Sequence, residues 1–139
     1  MTFMEKLFNE WNIEKRKIDT RWFVHAKAWQ IWHCKLWVNI WSEENGKWWF
    51  LRPILVLWNI GNMLLVAPTT TNIQKNGSQF YYKIESVGFG LREDGTIIES
   101  FIMLSQVRTI DSRRLIKHKY TVSQDELLKI KKSLINFLI

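Results

Sequence analysis

Three histidines, His25, His33 and His118, are the first residues able to do acid–base chemistry near neutral pH. Their spacing suits neither a metal site nor an obvious pair, and no Cys/His cluster supports zinc. The one cysteine, Cys34, has no evident His or Asp partner to make it a nucleophile. Within apolar sequence it reads as a small buried hydrophobe. A single thiol also excludes an internal disulfide, as suits a reducing compartment. The cations remain. Lys and Arg total 20 against 13 acidic residues, a formal net charge of +7. That balance fits contact with phosphate backbones, and equally a solvated basic surface. A guanidinium grips phosphate with fork-like hydrogen bonds and keeps its charge. Arg52, just before Pro53, is one such group, and Arg113, Arg114, Lys117, His118 and Lys119 form a basic cluster. The plain alternative for each is a surface cation.

The elements that must hold these groups fit one domain, since 139 residues support one core. The N-terminus carries Glu5, Glu10 and Glu14 and is not a signal peptide. The most apolar stretch, Trp48 to Ile60, is interrupted by Arg52 and Pro53 and is too short for a bilayer. A soluble protein with no membrane segment is expected.

Residues 3–18 read as an amphipathic helix, with Phe3, Leu7, Trp11 and Ile18 at near-helical spacing. From about Ala28 to Trp37 the pattern alternates as a strand, and Ser42 to Lys47 reads as a loop. Pro53 should start a strand, because it cannot donate to a ladder. Ile54 to Trp58 is a continuous apolar run, as in a strand buried on both faces. Ile60-Gly61-Asn62 turns it back into Met63 to Ala67, followed by a polar loop from Thr69 to Ser78. Phe80, Tyr82 and Ile84 alternate as a half-buried strand, and Asp94-Gly95 signals a hairpin leading to a strand near Ile97 to Leu104. Asp111 should cap a helical turn reaching Leu115. Ser123 and Glu126 form a capping box for a last helix with the stripe Leu127, Ile130, Leu134 and Leu138. Short strands with a closing helix indicate a small β-barrel or curled sheet with helices outside.

Five segments together resemble one known family. They are Ile31-Trp32-His33-Cys34-Lys35-Leu36, Ser42-Glu43-Glu44-Asn45-Gly46-Lys47, Arg52-Pro53-Ile54-Leu55-Val56-Leu57, Val66-Ala67-Pro68-Thr69-Thr70-Thr71, and Ser105-Gln106-Val107-Arg108-Thr109-Ile110-Asp111-Ser112-Arg113-Arg114-Leu115. In this order they resemble the MazF/PemK toxins of type II toxin–antitoxin systems, over roughly residues 28–138. The resemblance implies a mainly β fold with helices (α+β), an SH3-like small β-barrel of the MazF/PemK/CcdB type. An N-terminal helical extension would occupy residues 1–23 and the toxin domain residues 24–139. It further implies a cytoplasmic homodimer that cuts single-stranded RNA without metal or cofactor. Its partners would be that RNA and a cognate antitoxin, with DNA reached only through the antitoxin.

The family match places Arg52 at the catalytic arginine and Thr70 at the active-site threonine, with Thr69 and Thr71 as neighbours one register away. Ser42, Glu43, Thr71, Ser105 and Gln106 fall at RNA-binding positions. Ser105 departs from the pattern, since many members carry a carboxylate there and a serine alone is a poor base. Arg108, Asp111 and Arg114 read mainly as structural, Asp111 as a cap and the arginines as partners of it or of backbone carbonyls.

Nine tryptophans all lie between Trp11 and Trp58. Trp37, Trp41 and Trp48, and as a fourth case Trp29, stand where the family carries glycine. One expectation is that some of these codons are UGA, written here as tryptophan and read as glycine in the source cell, because a glycine position tolerates positive φ and tryptophan does not. The rivals are real tryptophans stacking on RNA bases, or core packing. At the level of function, a non-catalytic RNA-binding module on a similar barrel rivals the enzyme. A toxin of the same fold acting on a topoisomerase is a third reading, against which the Ser105 to Asp111 motif argues.

Overall fold

The computed structural model describes residues 3–36, 51–71 and 79–139. A first helix, α1 (Phe3–Asp19), is followed by β1 (Gln30–Lys35), β2 (Leu51–Ile60), β3 (Met63–Thr70), β4 (Tyr81–Lys83), β5 (Phe101–Met103), β6 (Arg108–Asp111) and β7 (Leu115–Thr121). The last element is α2 (Gln124–Leu138), and single 3-10 turns at Leu104–Gln106 and Ser112–Arg114 separate β5, β6 and β7.

All ladders are antiparallel, in the order β4-β5-β3-β2-β1-β7. β3 is shared at its second edge. Its first half pairs with β6, from Met63↔Asp111 to Val66↔Arg108, and its last two residues pair with β5. The expected α+β architecture, a curled antiparallel sheet with helices outside, is present; among the described residues β4 and β7 end an open path, and no ladder closes it into a barrel. β7 carries exposed Lys117, His118 and Lys119, a charged edge that discourages further pairing.

The sheet is buried on both faces. One cluster holds Ile31, Leu55, Leu57, Ala67, Ile102 and the α2 residues Leu127, Ile130 and Leu134. The other holds Cys34, Ile54, Val56, Leu64, Val66, Ile110 and Leu115. Of the apolar run from Ile54 to Trp58, the residues Ile54 to Leu57 divide between them as the sequence suggested, whereas Trp58, past a bulge after Val56, is exposed. The hairpin at Gly61-Asn62 has two central residues, and Gly61 takes φ 68°, the positive angle that a tight hairpin needs.

Pro53 does not start its strand; it is the third residue of β2. β3 also runs beyond its expected end, through Pro68 to Thr70. The β2–β3 ladder begins at Ile54↔Pro68. Outside that pair the Thr69 hydroxyl donates to the Pro53 carbonyl at 3.3 Å. A side-chain donor thus serves a carbonyl where proline supplies no N–H.

The Ser123 cap behaves as read: its Oγ accepts from Glu126 N at 3.0 Å. The reciprocal half of the box is absent. Glu126, only 5% exposed, instead accepts from Glu85 N at 2.7 Å, Ser86 N at 2.8 Å, the Ser86 hydroxyl and the Tyr82 hydroxyl. Ser123 N turns to Ser86 Oγ. The carboxylate therefore clamps α2 to the segment after β4. Asp111 caps the 3-10 turn, accepting from Arg113 N at 2.9 Å.

α1 lays Trp11 and Ile18 into the protein. Glu14 meets Lys35 of β1 at 2.6 Å, and Arg21 Nη1 donates to the Arg113 carbonyl at 2.6 Å. Before β1, Trp29 occupies the third position of the turn Lys27–Gln30, with φ 71°. It is the one non-glycine residue at positive φ among those described. Its backbone is held from both sides, N to the Val56 carbonyl and O from Val122 N.

Candidate functional site

Alternation along strands decides which groups share a face. Arg52 pairs with Cys34 across β1–β2. Extending the Ile54↔Pro68 register by two residues brings Arg52 level with Thr70. Thr70 in turn pairs with Phe101, and Phe101 with Lys83. Direct antiparallel partners project to one side, so Arg52, Thr70, Phe101 and Lys83 form a single row across β2, β3, β5 and β4. Thr69 projects to the other side, and its hydroxyl is committed to Pro53. Of the three successive threonines, the strand geometry therefore gives Thr70 the Arg52 face.

Arg52 is 6% exposed and Thr70 is 5% exposed. Arg52 Nη2 lies 3.9 Å from the Met103 Sδ, a weak acceptor for a charged donor. Met103 is the last residue of β5, and the turn after it presents Ser105 exposed and Gln106 half-buried. Thr71 is exposed just past β3, and its carbonyl accepts from Arg92 Nη2 at 3.4 Å. This bond anchors a small hairpin in which Leu91 bridges Ile97 and Asp94 accepts from Thr96 N and Oγ1. Ser42 and Glu43 lie outside the described residues, as do Trp37, Trp41 and Trp48.

The sequence did not single out Lys83, whose Nζ lies 3.2 Å from Glu99 Oε1 in the outer part of the row. Its signal was the alternation between Tyr82 and Ile84, which leaves Lys83 facing the opposite side. The histidines are not brought together. His25 is exposed ahead of β1; His33 pairs with Pro53, one residue out of step with Arg52; His118 stacks on Trp32 at 5.5 Å and bonds the Tyr120 carbonyl. Burial, then the charges of Lys119 and Lys117, holds His33 below its ordinary value, so its imidazole is neutral at pH 7. Cys34 is fully buried, and burial pushes its thiol up to about 12. It is a core residue and no nucleophile. Among the described residues no group of three His, Cys, Asp or Glu side chains could hold a metal.

Arg113 is held by Asp111 through Nε at 3.0 Å and Nη2 at 2.8 Å, a structural fork. Arg108 is exposed on β6. Arg114 is half-buried, lies over the Trp11 ring at 5.4 Å, and finds no hydrogen-bond acceptor among the described residues. Of the partners expected for these arginines, Asp111 or backbone carbonyls, Arg114 takes neither among the described residues; Arg113 holds Asp111.

Comparison with known proteins follows the same lines. A family model for the PemK-like, MazF-like toxin of type II toxin–antitoxin systems matches residues 27–138. The chain is 36% identical over 107 residues to endoribonuclease EndoA of Bacillus subtilis (strain 168), spanning 69% of this chain and 84% of that protein. Its fold is similar to the MazE–MazF structure from Deinococcus radiodurans, with a TM-score of 0.57, 16% identity, and 85% and 97% of the two chains covered. A mycobacterial endoribonuclease solved in complex with its cognate antitoxin gives a TM-score of 0.52 at 14% identity, covering 82% and 95%. These two likenesses concern the fold, an antiparallel sheet with two helices.

Proposed function

Because the chain belongs to the PemK-like, MazF-like family of toxins of type II toxin–antitoxin systems, we propose that it is an endoribonuclease that cuts single-stranded RNA. The observation that carries this reading is the placement of Arg52 level with Thr70 on one face of the sheet. An RNA strand cuts itself when its 2′-hydroxyl attacks the adjacent phosphorus. The O2′–P bond forms, the P–O5′ bond breaks, the 2′ proton leaves and O5′ gains one. No metal is required if the protein aligns the in-line geometry and stabilises the extra charge on the phosphoryl oxygens.

Arg52 supplies that charge stabilisation, and the Thr70 hydroxyl orients the phosphate or the 2′-hydroxyl. With 6% of Arg52 exposed, its guanidinium must be uncovered before a phosphate reaches it. Thr71, Ser105 and Gln106 bind RNA from the strand end and the turn after β5, together with Ser42 and Glu43. Residues 24–139 form the toxin domain and residues 1–23 its helical extension. The protein works in the cytoplasm as a homodimer, is silenced by a cognate antitoxin, and meets DNA only through that antitoxin. Support for the antitoxin comes from the relatives, one of them solved in such a complex.

The test is cleavage of a long single-stranded RNA in EDTA by the chain and by Arg52→Ala. Loss of an oxyanion donor lowers the rate by at least about a hundredfold. Undiminished cleavage removes Arg52 from the mechanism. RNA binding by both proteins with cleavage by neither replaces the enzyme with a non-catalytic RNA-binding module.

A further inference from the structure

Between α1 and the 3-10 turn before β7 lies an open cavity of about 460 Å³. Four cations line it, Lys15, Arg16, Arg113 and Arg114, against two carboxylates, Asp19 and Asp111. Arg113 engages both carboxylates, Asp111 at 2.8 Å and Asp19 at 3.5 Å. Lys15, Arg16 and Arg114 are left without an ion pair among the described residues. Arg114 is the unusual one. A half-buried guanidinium carries a desolvation cost that a carboxylate normally offsets. Here, among the described residues, it meets a ring face, that of Trp11, 2% exposed and lying beneath it, while the nearby Asp111 carboxylate is held by Arg113. Burial accordingly holds Arg114 below its ordinary value. Arg114 lines the cavity from over the Trp11 ring, and Asn12 lines it from α1.

We propose that this cavity is an anion site that takes a phosphate of the RNA substrate outside the scissile bond. The inference rests on the ribonuclease reading given above. Its position favours RNA over an acidic polypeptide. Arg52 pairs with Cys34, and Cys34 pairs with Leu115, the residue after Arg114. Two interstrand steps, about 10 Å, therefore separate Leu115, next in the chain to the cavity's Arg114, from Arg52. A single RNA strand passing Arg52 reaches the cavity with a neighbouring phosphate. The helix α1 supplies Lys15 and Arg16, so the extension ahead of the family domain becomes part of the RNA path.

The test compares a short RNA spanning only the cleavage motif with one extended in both directions, each made non-cleavable by a 2′-O-methyl group at the scissile step. Affinity is read at several salt concentrations for the full chain, the Lys15→Gln/Arg16→Gln double variant, and a charge-matched Lys129→Gln/Lys132→Gln control on α2. The long RNA binds the unaltered chain more tightly than the short one. The first double variant shrinks that advantage by roughly three- to tenfold and lowers the salt slope by about 0.7 for each phosphate it no longer neutralises. The control keeps both. An unchanged advantage, or equal shrinkage in the control, overturns the proposal. So does a variant that keeps the advantage but loses binding to an acidic peptide, since the cavity is then a protein-docking site. If the chain binds and cleaves no RNA, the ribonuclease reading fails on the short substrate, and inorganic phosphate decides the site by itself. Titrated into the unaltered protein, it shifts the Arg114 Nε–Hε NMR resonance if the cavity takes phosphate; a silent resonance overturns it.

Discussion

The two ends of the sheet treat a buried charge in opposite ways. Under α2, Glu126 is almost fully enclosed and accepts from two backbone N–H groups and two hydroxyls. Under α1, Arg114 is half-enclosed and meets a tryptophan ring, with no acceptor among the described residues. The first charge is spent on holding the protein together. The second is left with binding capacity unused. A charge satisfied by its own protein marks structure, and a desolvated charge left open marks a place for a ligand.

Removing each charge tests that contrast. Glu126→Ala leaves Glu85 N and Ser86 N without their acceptor and costs about 3 kcal/mol in urea unfolding. An effect under about 1 kcal/mol makes the clamp ornamental. The same carboxylate gives a pH signature. Burial raises its pKa, but the hydrogen bonds from Ser86, Glu85 and Tyr82 outweigh burial and leave it below the usual carboxylate value. A group depressed in the folded state stabilises above its unfolded pKa and loses that contribution as pH falls through the folded one. Stability should therefore decline below about pH 4.5, and Glu126→Gln should flatten part of that decline in thermal melts. Arg114→Met goes the other way. Apolar volume replaces an unpaired charge, so stability stays within about 1 kcal/mol or rises. A loss of about 3 kcal/mol or more in calorimetry, the cost of breaking a buried pair, would make Arg114 a second clamp and end the contrast.

The smallest effect concerns Trp29. A non-glycine residue at φ 71° carries backbone strain of about 1 kcal/mol. Truncation to Ala keeps that strain, whereas truncation to Gly removes it along with the same ring. Trp29→Gly should therefore be more stable than Trp29→Ala by about 1 kcal/mol, reversing the usual order in a strand or helix. The usual order would remove the reason for placing a glycine codon there.

Much of this was legible in the sequence because it is local. The Asp111 turn and the Ser123 cap need only residues a few places away. Alternation and turn residues placed the β2–β3 hairpin. The reading failed where distant groups intervene. Pro53 reads as a strand start by its missing N–H, yet β2 begins two residues earlier because its other edge pairs with β1 through Lys35↔Leu51 and Cys34↔Arg52. The capping box predicts that Glu126 returns to Ser123, but Ser86 and Glu85 arrive from across the sheet and take it. At the candidate site, resemblance pointed to Arg52 and Thr70, and strand parity puts Thr70 rather than Thr69 on the Arg52 face. The Trp11–Arg114 stack joins opposite ends of the chain and has no local pattern to betray it.

Those long spans bear on the order of assembly. Arg21 to Arg113 and Val24 to Ser112 tie residues 92 and 88 positions apart, whereas the β2–β3 hairpin closes through two residues. Hairpins of that kind form in about 1–10 μs, and contacts across most of a chain wait for the intervening strands. The segment after α1 therefore docks only after the turn before β7 has formed, and amide exchange in α1 should run ahead of exchange in β2 and β3. On a ribosome, the seat of α1 on Arg113 and Arg114 does not exist until the C-terminal quarter of the chain has emerged.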